Sequence, residues 1–144
     1  GKVRPLENIS INAIVKMASG TPYTPTNPYD AAREGISVNQ QPTGSINSVN
    51  LPWSTSVDLK VERRFNVGQY TLTPYVWVQN LFNTENVFLV YAGTGEPNTT
   101  GWLSTVEGEQ WAATNDESLY RMKEENPKNY GRPRIVYVGM RMSF

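Results

Sequence analysis

An all-β fold of antiparallel strands, each with one apolar and one polar face, is what this sequence predicts, and three observations predict it. Apolar residues recur at every second position in four segments. The last of these segments runs to the C-terminal residue and ends on an aromatic side chain, Phe144. The connections are unequal: one is the short Asn66-Val67-Gly68-Gln69 turn, and the other two are long stretches rich in Pro, Gly, Asn, Thr and Ser.

The first segment, residues 6–18, sets Ile9, Ile11, Ala13, Val15 and Met17 against Asn8, Ser10, Asn12 and Lys16, with Ile14 as its exception. The second, 54–65, sets Val57, Leu59, Val61 and Phe65 against Ser56, Asp58, Lys60, Glu62 and Arg64. Arg63 breaks that pattern near the strand end, where a long cation reaches the level of lipid headgroups if a membrane is present. In the third, 70–83, Leu72, Val76 and Val78 oppose Thr71, Thr73 and Gln79. Tyr75 and Trp77 leave its orientation open, and Pro74 has no N–H for the ladder. The fourth, 135–144, is the clearest: Val136, Val138, Met140, Met142 and Phe144 alternate with Ile135, Tyr137, Gly139, Arg141 and Ser143.

The connections 19–53 and 84–134 read as surface loops, marked by Gly20-Thr21-Pro22-Tyr23-Thr24-Pro25 and Gly93-Thr94-Gly95-Glu96-Pro97-Asn98. One short helix is expected in the second, because Thr114 and Glu117 have capping-box spacing ahead of residues 118–125 and Asn126-Pro127 stops it. Residues 87–91 are a candidate strand extension.

Totals narrow the function. With 13 basic and 13 acidic residues in 144 the net charge is zero, so no global field draws in nucleic acid, and no nucleic-acid partner is expected. No Cys and no His are present, which removes disulfides, thiolate and imidazole metal sites and imidazole-based catalysis. No Asp or Glu pair is spaced convincingly for acid–base work, so neither an enzyme nor a cofactor is expected. The mean hydropathy of −0.50 and the lack of a long apolar run exclude a membrane-spanning helix. They leave open a transmembrane β-barrel, whose strands alternate lipid-facing and lumen-facing residues and therefore average out as polar. The N-terminal Gly1-Lys2-Val3-Arg4-Pro5 lacks the features of a signal peptide, so a mature or truncated chain is expected.

Short turns on one side and long loops on the other is the outer-membrane pattern. Alternating strand directions put the turn 66–69 on the periplasmic side, the loops 19–53 and 84–134 outside the cell, and Phe144 at the periplasmic rim. Four strands cannot close, since the smallest barrels use about eight. An open edge in hydrocarbon costs roughly several kcal/mol per unpaired amide. The missing strands are therefore expected in the same polypeptide or in other chains.

The final strand, with Val136, Val138, Met140, Met142 and Phe144 on one face, resembles the signal that the outer-membrane barrel-assembly machinery reads on its clients. Four further stretches follow in order: Ser19-Gly20-Thr21-Pro22-Tyr23-Thr24-Pro25, Asp58-Leu59-Lys60-Val61, Asn80-Leu81-Phe82-Asn83, and Tyr130-Gly131-Arg132-Pro133-Arg134. Together they resemble the C-terminal end of TonB-dependent receptors, especially those with a carboxypeptidase-regulatory-like N-terminal domain, over nearly the whole chain. The resemblance implies residence in the bacterial outer membrane, as the last strands of a large barrel of about twenty-two strands. It implies import of a nutrient or oligomeric substrate, and as partners the remaining strands and plug, the membrane lipid, and the TonB energy-coupling complex. That complex is reached through an N-terminal region absent from these residues.

Each candidate has a plainer reading. Asp58, Lys60, Glu62, Arg64 and Arg141 are read as lumen-facing charges that pair across strands or contact the plug, with structural pairing expected. Asp116, Glu117, Glu124 and Glu125 lack calcium-loop spacing and are expected as solvated charge, with no metal. Trp102, Trp111 and Tyr120 either stack on a sugar or pack on neighbouring loops, and packing is expected. Trp53, Phe65 and Tyr70 sit near strand ends, where rings mark headgroup level or pack on the sheet. The competing class is a soluble, secreted β-sandwich binding a glycan or a protein.

Overall fold

The computed structural model describes residues 7–29 and 40–144. The expected strand start at Leu6 and residues 30–39 of the first long connection lie outside the described residues. The chain is mostly β with antiparallel sheets, and the sheets are not closed. Among the described residues no helix is long and apolar enough to cross a membrane.

The elements are β1 (Ile9–Ala18), β2 (Pro22–Tyr23), β3 (Val49–Asn50), β4 (Ser54–Arg63), β5 (Phe65–Val67), β6 (Tyr70–Gln79), α1 (Val106–Ala112), α2 (Glu117–Glu124) and β7 (Ile135–Ser143). They fall into two compact units. Unit 1 comprises Gly1–Met17, Thr55–Glu85 and Arg132–Phe144; unit 2 comprises Ala18–Ser54 and Asn86–Gly131.

Unit 1 is one sheet in chain order, with β1 beside β4, β6 between β4 and β7, and β5 prolonging β4 along β6. The antiparallel sense of β1 on β4 follows from its two ends: Lys16 meets Asp58 while the N–H of Arg64 donates to the carbonyl of Asn8 at 2.9 Å. The register of β4 on β6, with Leu59 across from Val78 and Glu62 across from Tyr75, continues unbroken into β5, with Phe65 across from Leu72. The expected strand 54–65 is interrupted at Arg64 all the same. The register sets Arg63 against Pro74, whose ring nitrogen has no hydrogen to give back. Pro74 thus sits inside a central strand at the cost of one ladder bond.

The turn between β5 and β6 is only Gly68-Gln69, tighter than the expected 66–69, and Gly68 takes φ +63° at no steric cost. The strand expected over 70–83 stops at Gln79. Asn80 and Asn83 adopt φ of 51° and 53°, a left-handed turn that Asn tolerates better than other side-chain-bearing residues. β7 pairs with β6 along its whole length, from Thr71 against Ser143 to Gln79 against Ile135.

Cross-strand partners share a face, so the registers assign one. Leu59 and Val61 join Val76 and Val78, then Val136 and Val138; Phe65 joins Leu72 and Met142; Pro74 joins Met140. The orientation of β6 is thereby decided, with its even-numbered residues on the apolar face and Tyr75 and Trp77 on the other. That apolar face is open: Val138 is 79% exposed and Met140 65%. Among the described residues of unit 1 the buried ones, Asp58 and Asn80, are both polar.

Unit 2 is built the other way. The two long connections fold together, since Thr26 N–H donates to the Ala92 carbonyl at 2.9 Å and the rings of Tyr29 and Tyr91 meet edge-on at 6.2 Å. β2 pairs with β3, and Gly20 lies so tightly against the Leu51 backbone that no Cβ fits there. The helix expected from the Thr114 to Glu117 spacing starts instead behind Asp116, whose carboxylate accepts from Ser118 N–H at 2.9 Å. Thr114 is diverted, because a helix not foreseen, α1, ends just before it and the Thr114 hydroxyl donates to the Trp111 carbonyl at 3.2 Å. α1 is capped by Thr105, which accepts from Gly108 N–H at 3.2 Å. Residues 87–91 form no strand, only the isolated bridge of Val87 to Tyr130.

Candidate functional site

The sheet of unit 1 presents two chemically distinct faces, and the alternation of side chains along each strand creates both. On the polar face, β4 brings Asp58, Lys60 and Glu62 into one row, and the register places Arg64 beside Thr73 and Arg141 across from Thr73. All five charged residues singled out in the sequence therefore share one face.

Asp58 is the buried one. One carboxylate oxygen accepts from Lys16 Nζ at 2.6 Å and the other accepts from the backbone N–H of Asn80 at 3.0 Å. Lys60 pairs with Glu62 at 2.6 Å and lies 5.2 Å from the centre of the Tyr75 ring. Tyr75 in turn covers Gly139: a Cβ there would stand 2.6 Å from the ring's Cζ, so any larger residue would have to push the phenol end of Tyr75 aside. Trp77 stacks on Tyr137 at 5.1 Å, the cross-strand pair next to it. Lys16, Lys60, Arg64 and Arg141 outnumber Asp58 and Glu62, so the face carries an excess of positive charge. A shallow cavity of about 270 Å³ opens on it between Asn12, Ile14, Asp58, Lys60 and Trp77.

On the opposite face Val136, Val138, Met140 and Met142 project together, and Phe144 follows the strand, 97% exposed. Phe65 and Tyr70 stand at the same end as the Gly68-Gln69 turn, both partly exposed. Trp53 is exposed and precedes β4.

Asn80 is a residue whose importance the sequence signalled only through its motif. Its side chain accepts from Thr84 N–H at 2.9 Å and donates to the carbonyls of Thr84 and Arg132, at 3.0 and 3.2 Å. Asn83 accepts from Arg134 N–H at 2.9 Å. The Asn80-Leu81-Phe82-Asn83 stretch is thus a knot that fastens the end of β6 to β4 and to the approach of β7. It holds these strands in register across the long excursion of residues 86–131.

In unit 2, Glu124 is not the solvated charge expected of it: it is 1% exposed. Its Oε1 accepts from Thr100 N–H at 2.8 Å, from the Thr100 hydroxyl at 2.7 Å and from the Thr99 hydroxyl at 3.4 Å. Helical periodicity explains why: Tyr120 and Glu124, four apart, turn inward together. Asp116, Glu117 and Glu125 remain exposed. The Asp116 carboxyl is held below the usual carboxylate range, first by the Ser118 hydroxyl and then by the Ser118 backbone N–H. Trp102, Trp111 and Tyr120 pack on one another with ring centres 5.0 to 5.8 Å apart. Among the described residues no three Asp, Glu, His or Cys side chains converge where a metal ion would sit.

Set against family models, curated proteins and solved structures, the chain matches none of them.

Proposed function

We propose that this chain is the C-terminal portion of an outer-membrane β-barrel belonging to a TonB-dependent receptor, which imports a nutrient or oligomeric substrate across the bacterial outer membrane. The observation that carries the reading is the inverted solvation of the sheet: its apolar face is exposed and its buried residues are Asp58 and Asn80. Leaving Val136, Val138, Met140 and Met142 in water forgoes about 1.5–3 kcal/mol for each side chain. Four such residues forfeit about 6–12 kcal/mol, as much as the whole stability of an ordinary domain. Hydrocarbon removes that penalty, and an outward apolar band with a polar lumen is how a transmembrane barrel is organised.

In this reading the polar face lines the lumen. Its ion pairs and its Trp77–Tyr137 stack stiffen the wall, and its excess positive charge faces the plug and passing cargo. The turn at Gly68-Gln69 and Phe144 lie at the periplasmic rim, unit 2 belongs outside the cell, and further strands join the free edges of β1 and β7. The barrel-assembly machinery would read the C-terminal strand, and TonB coupling would act through N-terminal regions beyond these residues.

Nitroxide labels placed singly at Val136, Val138 and Met140 in the intact protein in bilayers test the reading. They are expected to collide with oxygen and to be shielded from a water-soluble relaxant, while labels at Lys60 and Arg141 show the reverse. Water-accessible labels on both faces would sink the proposal.

A further inference from the structure

One cation stands on the wrong face. The register that sets Arg63 against Pro74, and Pro74 against Met140, puts Arg63 among the apolar side chains, between Val61 and Phe65. Its charged neighbours along the strand, Glu62 and Arg64, alternate to the opposite face. Among the described residues no carboxylate pairs with it. The guanidinium is not splayed at random: its Cζ lies 4.9 Å from the centre of the Phe65 ring, so the side chain leans toward the Gly68-Gln69 turn. The same end of the sheet carries Phe65 and Tyr70, with Gln69 donating to the Tyr70 hydroxyl at 3.0 Å, and the exposed Phe144.

We infer that Arg63 binds the phosphate of an anionic phospholipid at the periplasmic boundary of the membrane, an inference that rests on the membrane reading above. Arg63 lies four residues from Val67, about 14 Å along the strand at ~3.4 Å per residue and about 10 Å along the membrane normal at a tilt of ~45°. A lone cation at that depth is costly unless its head reaches the interface, and the lean over Phe65 carries it that way. There it presents a planar fork of donors suited to a phosphate's paired oxygens. The ring beneath it holds the guanidinium while leaving its N–H edges free. Among the described residues no side-chain carboxylate is paired with Arg63, which leaves an anionic headgroup as the complement to its charge.

The test uses the intact protein in bilayers of equal parts phosphatidylglycerol and phosphatidylcholine, with the lipids that stay bound counted by native mass spectrometry. Wild type is expected to retain phosphatidylglycerol in preference, by about fivefold, the effect of one cation at an anionic surface. Arg63→Leu is expected to abolish the preference, and Arg63→Lys to keep part of it. An unchanged preference in Arg63→Leu overturns the site. Val138→Trp, read by quenching from brominated acyl chains, separates the two levels of inference. Quenching with no lipid preference defeats the Arg63 site alone, whereas no quenching defeats the membrane reading and the site together.

Discussion

Unit 2 and unit 1 solve the burial problem in opposite ways. Unit 2 turns the apolar Leu51 and Tyr120 inward beside the polar Thr100, Glu124 and Asn129, and Thr100 holds one oxygen of the Glu124 carboxylate. Unit 1 keeps its polar Asp58 and Asn80 inside and sets Val76, Val138 and Met140 outside. Both use ordinary residues and ordinary hydrogen bonds. The difference lies in where the apolar side chains go: partly inward in unit 2, onto an open face in unit 1.

The comparison breaks most visibly at the aromatic cluster. Tyr120→Ala is expected to cost about 3–5 kcal/mol, because a ring buried between Trp102 and Trp111 leaves a cavity that neither can fill. Near-ultraviolet circular dichroism should lose its tryptophan bands and proteolysis should open residues 86–131, with the strand signal intact. Loss of the strands as well would mean that the two units do not stand on separate cores. Asn80→Ala probes the other side, with an expected loss of about 2–3 kcal/mol from its unpaired partners and from a left-handed backbone that alanine resists. Amide exchange should quicken around Thr84 and Arg134 while unit 2 is unchanged.

The smallest effect is that of pH on α2. Because Asp116 ionises more readily folded than unfolded, its contribution is complete above the ordinary carboxylate range near pH ~4 and is lost as pH falls through its lowered folded value. Helicity followed from pH 5 downward is expected to fall, and Asp116→Asn, which keeps a capping oxygen, is expected to flatten that part of the curve. Identical acid profiles for the two proteins would show that the cap does not couple to folding.

Much of unit 1 was legible because a strand's pattern is local. Val136, Val138, Met140 and Met142 declare a face with no knowledge of their neighbours, and so do Val57, Leu59 and Val61. Glu124 shows a mixed case: its place four residues after Tyr120 puts it on the inward side of α2, but the partners that hold its carboxylate there, Thr99 and Thr100, lie some twenty-five positions earlier. α1 escaped notice because it is short, carries Gly108 and lacks an apolar stripe; Thr105 followed by Glu107 and Glu109 was the available signal.

The sequence by itself determined the antiparallel β class, since side-chain alternation is set by the pleat of each strand alone. It also marked the turn at Gly68, because backbone preference is a property of single residues, while it reads as strand through Asn83 and only the structure reveals the turn at Asn80 and Asn83. Tertiary structure decided what alternation cannot specify, namely which strand lies beside which and in what register. From that came the orientation of β6, the Lys16–Asp58 pair and the joining of two long connections into one body. Pairing is a relation between distant residues, and its energy exists only once both partners are in place.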